Sequence, residues 1–542
     1  MSAATSPRAQ ATATRESPIP GPYQGGVAYG ATKWLVGAAV MTGTFMSIMD
    51  VSVVNVAMPH MMGSFGQDLL TITWVSTAYS VAELIMITMT GWWSTLVGRK
   101  RFLIVSMLVF ITGSMMAGAS RSFGQMVFSR ILQGIGGGGL MPVSQAIMRE
   151  TFPPAEQGMS QAIFSMGTML APALGPTLGG WIVDNFGWPW IFYVNLPICI
   201  FGIVMISTFV HDPPYLKRGF LKIDWTGIAL LTVGLASMQL VLERGEEVDW
   251  FASNWIVIGT IAAVGALLAL IWWEFKTDEP VIDFRILKNV PLSIGCAIGG
   301  VMGFALFGTT FILPQWTQNL LGYPALEAGM VLLPRTIVMF FMMPIIGRIY
   351  NHINPRVTVA IALMLLAFST WSLGHFPLTV GFWNFTPMLV LMGVALAIGM
   401  VPVSTMALSS VAKPRMTAAA SIFSMTRTIA ANVAYAIDAT LLARRTQFHR
   451  AMLVHNLSGL NGAYMFSHEG LAARLMHRGM DATQAQRSSS AMLEGLLNRH
   501  ATMMAYNDTL SLITILILPA LLLVLLLPNR VFPEAPAESP AH

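Results

Sequence analysis

Ile163-Phe164-Ser165-Met166 recurs as Ile422-Phe423-Ser424-Met425, and Pro142-Val143-Ser144 recurs as Pro402-Val403-Ser404, at offsets of 259 and 260 residues. Gly91 with Arg99 and Lys100 corresponds more loosely to Gly347 with Arg356, at an offset of about 256. Three matches at one spacing, each in the equivalent apolar run of its half, mark a duplication that any account of the fold must accommodate.

Outward from these repeats the chain is a succession of apolar runs. About 20 residues of helix cross a bilayer, and on that length spans are expected near 34–58, 71–93, 102–120, 124–148, 160–184, 188–210, 223–242, 253–275, 291–320, 326–347, 357–374, 384–409, 416–442 and 503–527. Barrel strands would alternate over about ten residues, and these runs do not. The chain therefore reads as an all-α integral membrane protein with 14 transmembrane helices, arranged as two six-helix bundles plus an inserted helix pair. The expected divisions are a disordered tail (1–33), an N-terminal bundle (34–210), the inserted segment (211–290), a C-terminal bundle (291–527) that includes a long loop at 443–502, and a second tail (528–542). Composition agrees: 55% of the 542 residues are hydrophobic and 10% charged, against about 25% charged in soluble domains. So little charge cannot cover several water-exposed domains, which sets aside a cytosolic enzyme.

Thirty Lys and Arg against 25 Asp and Glu give a net +5. In a membrane protein such an excess reports orientation, because short loops rich in Lys and Arg stay in the cytoplasm. With the N-terminus inside, eighteen basic residues fall on that side, among them Arg99, Lys100, Arg101, Arg348, Arg356, Lys413, Arg415 and Arg530. The short loops opposite hold Arg121 and Arg244 beside the acidic run Glu243, Glu246, Glu247 and Asp249. Both termini are thus expected in the cytoplasm, and no nucleic-acid partner is required. Cys199 and Cys296 sit in separate apolar runs and imply neither a disulfide framework nor a metal site.

No phosphate-binding G-x-x-x-x-G-K-[ST] loop occurs, and Gly134-x-Gly136-x-x-Gly139 follows no strand, so its glycines read as helix packing rather than a dinucleotide site. No cofactor is expected. Ionisable groups within the spans are few: Asp50, Glu83, Arg130, Arg335, Arg427 and Asp438. A charge there costs about 2.5–3.5 kcal/mol on insertion scales and is retained chiefly for function. Burial disfavours the ionised form of a carboxyl group, so such a group can exchange protons in the physiological range. Asp50, Glu83 and Asp438 are the candidates, and the competing reading pairs each with an arginine as a fixed structural bridge. One elementary charge moving through 100 mV releases about 2.3 kcal/mol, enough for a gradient of roughly fifty-fold. The proton motive force would suffice. Parallel six-helix repeats with a path between them at mid-membrane are a secondary-transporter architecture.

These residues carry a resemblance to the major facilitator superfamily, and within it to the fourteen-span drug:proton antiporter branch, the EmrB-like group. Asp50 to Pro59 resembles that branch's acidic first-helix motif, with Asp50 as its carboxylate. Gly91-Trp92-Trp93-Ser94-Thr95-Leu96-Val97-Gly98-Arg99-Lys100 resembles the cytoplasmic gate motif, in which Gly91, Gly98, Arg99 and Lys100 match and Thr95 stands where the family usually has Asp. The gate must then work through its basic residues or its backbone. Phe128-Ser129-Arg130-Ile131-Leu132-Gln133-Gly134 is similar to the fourth-helix motif, whose Arg is implicated in proton coupling. Ala171-Pro172-Ala173-Leu174-Gly175-Pro176-Thr177-Leu178-Gly179-Gly180 is similar to the fifth-helix motif found mainly in exporters, with Gly175, Pro176, Gly179 and Gly180 at its centre. Trp188 to Pro197, Leu242-Glu243-Arg244-Gly245 and Thr426 to Ala430 extend the likeness.

The resemblance implies a proton-coupled multidrug antiporter of the inner membrane that exports hydrophobic or amphipathic compounds. It also implies a periplasmic adaptor and an outer-membrane channel as partners, for which the loop at 443–502 is the candidate surface. Within that loop Leu471 to Arg478 and Met492 to Leu497 suggest short amphipathic helices. Methionine numbers 39, and its flexible thioether suits a pocket for many apolar shapes. Met46, Asn55, Met86 and Arg427 are the expected cavity residues. The alternatives are a dedicated exporter of one solute, such as a fatty acid or siderophore-like metabolite, and a membrane sensor that transports nothing.

Overall fold

A computed structural model describes residues 23–24, 27–28, 30–212, 223–455 and 462–527. The labelled helices are α1 (Thr32–Phe65), α2 (Trp74–Val97), α3 (Arg99–Gly118), α4 (Phe123–Gly138), α5 (Leu140–Thr151), α6 (Gln157–Phe186), α7 (Asn195–Phe209), α8 (Trp225–Arg244), α9 (Asn254–Lys276), α10 (Val290–Asn319), α11 (Leu333–Ile349), α12 (Pro355–Leu373), α13 (Phe382–Ser409), α14 (Met416–Val454), α15 (Gly462–His477) and α16 (Ala482–Ile517). Side chains open several of them: Ser122, Asp224, Asn289 and Asp481 accept from the first-turn amides of α4, α8, α10 and α16. In the tail expected at 1–33, the described part holds an antiparallel ladder of two-residue strands, Tyr23–Gln24 and Val27–Ala28, before α1 begins. The basic residues Arg8, Arg15, Lys217, Arg218, Lys222 and Arg530 lie outside the described residues, as does the tail at 528–542.

Among the described residues, eleven helices are long and apolar enough to cross a membrane. The three remaining spans are those whose chemistry blunts the apolar signal. The fourth is cut at Gly139 into α4 and α5, of 16 and 12 residues. Glycine, serine and proline dilute α6, and Arg427 and Asp438 lie within α14. Fourteen spans result, in two bundles with α8 and α9 between them in sequence.

Each bundle has its own apolar core. One runs from Val36 to Val210, and the other covers the second half but extends to Leu84, Met89, Ala146 and Ala162 of the first. Within the first bundle glycine sets helix spacing: a Cβ on Gly134 would lie 2.5 Å from the Tyr79 carbonyl oxygen, and one on Gly136 would lie 2.7 Å from Phe110 Cα. The neighbouring backbones of α2 and α3 occupy the space a dinucleotide would need, in keeping with the packing role. α9 is apolar and largely exposed, with Ile258, Ile261 and Leu268 each more than 60% accessible. Lipid is the medium that such a surface fits.

The inserted α8 is wedged between the halves. Glu243 accepts from Thr77 Oγ1 of α2 at 2.6 Å, and Arg244 donates to Thr73 Oγ1 at 2.7 Å. On the other side Gln239 accepts from Asn432 of α14 at 2.5 Å, and the Trp250 indole beyond α8 donates to Thr440 at 3.0 Å. The Leu242–Gly245 motif thus touches the first bundle, and Gln239 and Trp250 on either side of it touch the second.

Of the two short helices expected in segment 443–502, Leu471 to His477 forms the end of the 16-residue α15, whereas Met492 to Leu497 lies inside the long α16. α14 continues without a break to Val454, and α16 begins at Ala482, so both spans project beyond the bilayer, with α15 packed on α16. The reason is local. No Gly or Pro occurs between Met416 and Val454, so nothing stops the helix at the membrane edge. Its 39 residues span about 58 Å, against a hydrocarbon core of about 30 Å. Arg450 to Glu494 at 2.8 Å, and His449 with Arg445 on Asp508 at 2.8 and 3.4 Å, tie the projecting helices together.

Candidate functional site

α1 enters the first bundle as a mostly apolar helix and places Asp50 at its midpoint, 3% exposed. Four other helices supply its surroundings. Arg130 of α4 donates to Asp50 Oδ2 at 2.5 Å, while Gln133, one turn on, donates to Oδ1 at 2.8 Å. Asn195, at the start of α7, donates to the same Oδ1 at 3.2 Å and to Ser114 of α3 at 2.8 Å. Every contact to Asp50 is from a donor, the pattern of an ionised carboxylate. Arg130 is 0% exposed and also donates Nε–H to the Val75 carbonyl at 3.0 Å, and its guanidinium lies 4.3 Å from the Tyr79 ring centroid. A buried ion pair is stable only with such additional hydrogen bonds.

Tyr79 connects this network to Glu83. Its hydroxyl is 3.2 Å from the Ser47 carbonyl and 3.4 Å from Glu83 Oε1. Glu83 is half-buried and accepts from no cation among the described residues. Asp438 of α14 differs from both: it is fully buried, and among the described residues neither carboxyl oxygen accepts a hydrogen bond. Of the predicted carboxylates, the structure pairs Asp50 with an arginine, sets Glu83 one tyrosine away, and leaves Asp438 apart in the second bundle.

The fifth-helix glycines lie directly on Asp50's helix. A Cβ on Gly175 would meet Ser52 Cβ at 2.7 Å, and one on Gly179 would meet the Val53 side chain at 2.9 Å. Gly180 has nothing nearer than Val56 at 3.9 Å, and Pro176 is exposed. The small residues at 175 and 179 therefore fix the distance between α6 and α1, and Gly180 does not.

The gate-motif residues gather where the two bundles meet at one face. Gly98 has φ +94°, a left-handed conformation that lets a single residue turn α2 into α3. Arg99, 1% exposed, pairs with Glu150 of α5 and donates to the Lys413 carbonyl of the other bundle at 3.2 Å. The Lys100 amide and ammonium bind Asp212 at 2.8 Å and the Ser207 carbonyl at 2.6 Å. Thr95 bonds within its own helix, to the Gly91 carbonyl at 2.9 Å. A Cβ on Gly91 would lie 2.9 Å from Ala418 Cα, and one on Gly158 would lie 2.7 Å from the Gly347 carbonyl. Asn351 donates to the Ala155 carbonyl at 2.6 Å, and Ser421 to the Thr88 carbonyl at 3.2 Å. This Arg99 face is closed. The direct hydrogen bonds between bundles among the described residues all lie toward it.

Deeper along the same interface is a cavity lined by Gln145, Ser165, Met302, Ser404, Phe423 and Arg427, with room for little more than water. Of the expected cavity residues, Arg427 lines it. Met46 is fully buried in the first bundle's core, Met86 packs partly buried against that core, and Asn55 is exposed and accepts from Ser76 at 3.2 Å. Sequence reasoning did not assign Gln133, Asn195, Tyr79, Ser114 or Glu150. Gln133 and Asn195 stand within quoted motifs, but nothing in linear spacing aims them at Asp50.

The family model described as Major Facilitator Superfamily matches residues 40–435. The multidrug export protein EmrB of Escherichia coli (strain K12) is 34% identical over 434 residues, covering 80% of this chain and 84% of that protein. The fatty acid resistance protein FarB of Neisseria gonorrhoeae is 31% identical, covering 81% of this chain and 86% of that protein. Among solved structures, the human organic anion transporter MFSD10 superposes with a TM-score of 0.56 at 15% identity, covering 90% of this chain and 99% of that one, a likeness of fold. A multi-pass membrane protein with these relatives is a transporter rather than an enzyme. The chain belongs to the Major Facilitator Superfamily and, within it, to the EmrB-like branch.

Proposed function

We propose that the protein is a proton-coupled exporter of hydrophobic or amphipathic compounds. One observation carries this reading: an acidic residue buried at mid-membrane on α1, Asp50, is locked to Arg130, Gln133 and Asn195, and its helix is packed against the Gly175 and Gly179 stripe of α6. A proton delivered to Asp50 removes the charge that holds Arg130, and α1 is then free to shift against α4. The similarity to EmrB supports multidrug export as the task. The Arg99 face is assigned to the cytoplasm by its basic loops, so the conformation described is closed on the inside. Both termini are then cytoplasmic and the membrane is the cell inner membrane.

The cycle follows from rocking of the bundles 34–210 and 291–527 about the central cavity. Protonation of Asp50 from the outside releases the network and lets the cytoplasmic face open. Substrate then enters, the proton leaves to the cytoplasm, and re-formation of the Asp50–Arg130 pair accompanies closure. Glu83, linked through Tyr79, and Asp438, which no donor among the described residues meets, are assigned as further proton-binding groups. The projecting α14, α15 and α16 form the surface assigned to a periplasmic adaptor, which would pass substrate to an outer-membrane channel. The similarity to FarB favours a second reading, export of fatty acids alone.

Susceptibility separates the readings. In a strain lacking its own efflux pumps, expression is expected to raise survival against chloramphenicol, ethidium and a long-chain fatty acid alike, and a protonophore is expected to abolish drug efflux. Protection against the fatty acid alone selects the dedicated exporter. Protection against none is the outcome for a non-transporting sensor.

A further inference from the structure

Buried arginines without a carboxylate partner occur in both bundles. In the first, Arg99 pairs with Glu150 and Arg130 with Asp50, and Arg149 of α5, 4% exposed, has none among the described residues. The second bundle has two arginines inside the membrane, and neither meets a carboxylate among the described residues. Arg335 of α11, 4% exposed, donates to Thr309 Oγ1 at 2.9 Å and Thr310 Oγ1 at 2.8 Å. Arg427 of α14, 8% exposed, makes no hydrogen bond among the described residues, and its Nε is buried without a partner. Asp438, the membrane carboxylate of the same bundle, pairs with neither. A buried guanidinium without an anion is unfavourable, and Arg427, unlike Arg149, lines a cavity through which an anion can reach it.

The position of Arg427 says what kind of anion. It lines the central cavity between the bundles, beside Gln145, Ser165 and Ser404, where a planar fork of donors can grip a carboxylate. Arg427, Ala431 and Tyr435 fall on one face of α14, and from Tyr435 an aromatic wall continues onto α10, with Phe307 at 6.2 Å and Phe311 at 5.7 Å. Tyr435 is 37% exposed, and Thr310, which holds Arg335, adjoins Phe311 on α10. Met302 and Met400 line the cavity at the other end of this path. A cationic head group site thus adjoins a strip of aromatic and thioether side chains.

We propose that Arg427 is the anchor of a binding site for amphipathic anions, a carboxylate on an apolar chain, with Arg335 as a second positive charge along the same path. The site rests on the export reading above and names one substrate class for it. In the conformation described the cavity is too small for such a ligand, which therefore binds when the bundles part.

Two fluorescent probes that differ only in charge test it: 11-(dansylamino)undecanoate and the corresponding primary amide, titrated against the full-length protein in lipid nanodiscs with empty discs subtracted. The wild type is expected to bind the carboxylate about tenfold tighter than the amide. Arg427→Ala is expected to remove that preference while leaving amide affinity within about twofold, and Arg427→Lys to retain part of it. Arg335→Ala is expected to weaken the preference less. Equal affinity of the wild type for both probes overturns the proposal, as does an Arg427→Ala that weakens both alike. Should Arg427→Ala bind neither probe, Arg427→Lys decides: a retained preference supports the site, and equal binding overturns it. Because these affinities are read without a proton gradient, failure here with intact proton-driven efflux of chloramphenicol removes the anion site alone.

Discussion

Asp50→Asn is expected to abolish proton-driven efflux, by about a hundredfold or more, while the protein still reaches the membrane. An amide is nearly isosteric with the carboxylate, but it neither takes up nor releases a proton. It also presents a donor where only donors now converge: Arg130, Gln133 and Asn195 all point N–H groups at Asp50. One of those contacts must be lost, and Arg130 is left buried without its counter-charge. Removal of one partner from a buried pair costs about 3–5 kcal/mol, so a lower melting temperature is expected alongside the lost transport. The two effects can be separated. In the double variant Asp50→Asn with Arg130→Gln no charge is stranded, so stability is expected to recover while efflux stays absent. If efflux recovered as well, Asp50 would be a structural member of the network and not its proton-binding group. Membrane abundance, melting temperature and chloramphenicol efflux, measured on the same three proteins, give the answer.

Gly158→Val is expected to stop transport by a different route. Its first added carbon would lie 2.7 Å from both the Gly347 carbonyl oxygen and Tyr350 Cβ, and a carbonyl in the facing helix cannot turn aside as a side chain can. The bundles then cannot close at the Arg99 face. Efflux is expected to fall by about tenfold or more with the protein correctly folded, because overpacking of this kind typically costs about 1–3 kcal/mol. A cysteine pair at Ala155 and Asn351, whose residues are joined by a 2.6 Å hydrogen bond, reports the closure. Its crosslinking in a background without Cys199 and Cys296 is expected to be ready in the parent and weak with Gly158→Val. Gly180→Val is the control: that position has nothing closer than 3.9 Å, and efflux is expected to be unchanged.

What the sequence disclosed and what it withheld follow from how far each interaction reaches along the chain. Helix number and the duplication are local properties, carried by apolar runs and by repeated strings such as Ile163-Phe164-Ser165-Met166. Asp50 and Arg130 stand out singly because charge is rare inside a membrane. Their contact is not legible, since it depends on how α1 and α4 are set against each other. The same holds for Asn195, 145 residues from Asp50, and for Glu150 as the partner of Arg99. Thr95 shows the limit most directly. Its string matches a gate motif, yet the charge that meets Arg99 comes from α5. The projecting α14 is legible in the lack of any Gly or Pro from Met416 to Val454, a signal that outweighs bilayer thickness in setting where the helix ends.

The most direct test of proton-coupled export is a substrate-driven proton flux. The purified protein is reconstituted into liposomes containing a pH-sensitive dye, and a chloramphenicol gradient is imposed with no initial difference in pH. Chloramphenicol has no group that titrates near neutrality, so it cannot carry the proton itself. The account predicts proton movement opposite to the drug in the wild type and none with Asp50→Asn. Drug movement in the wild type with no accompanying change in internal pH would contradict it.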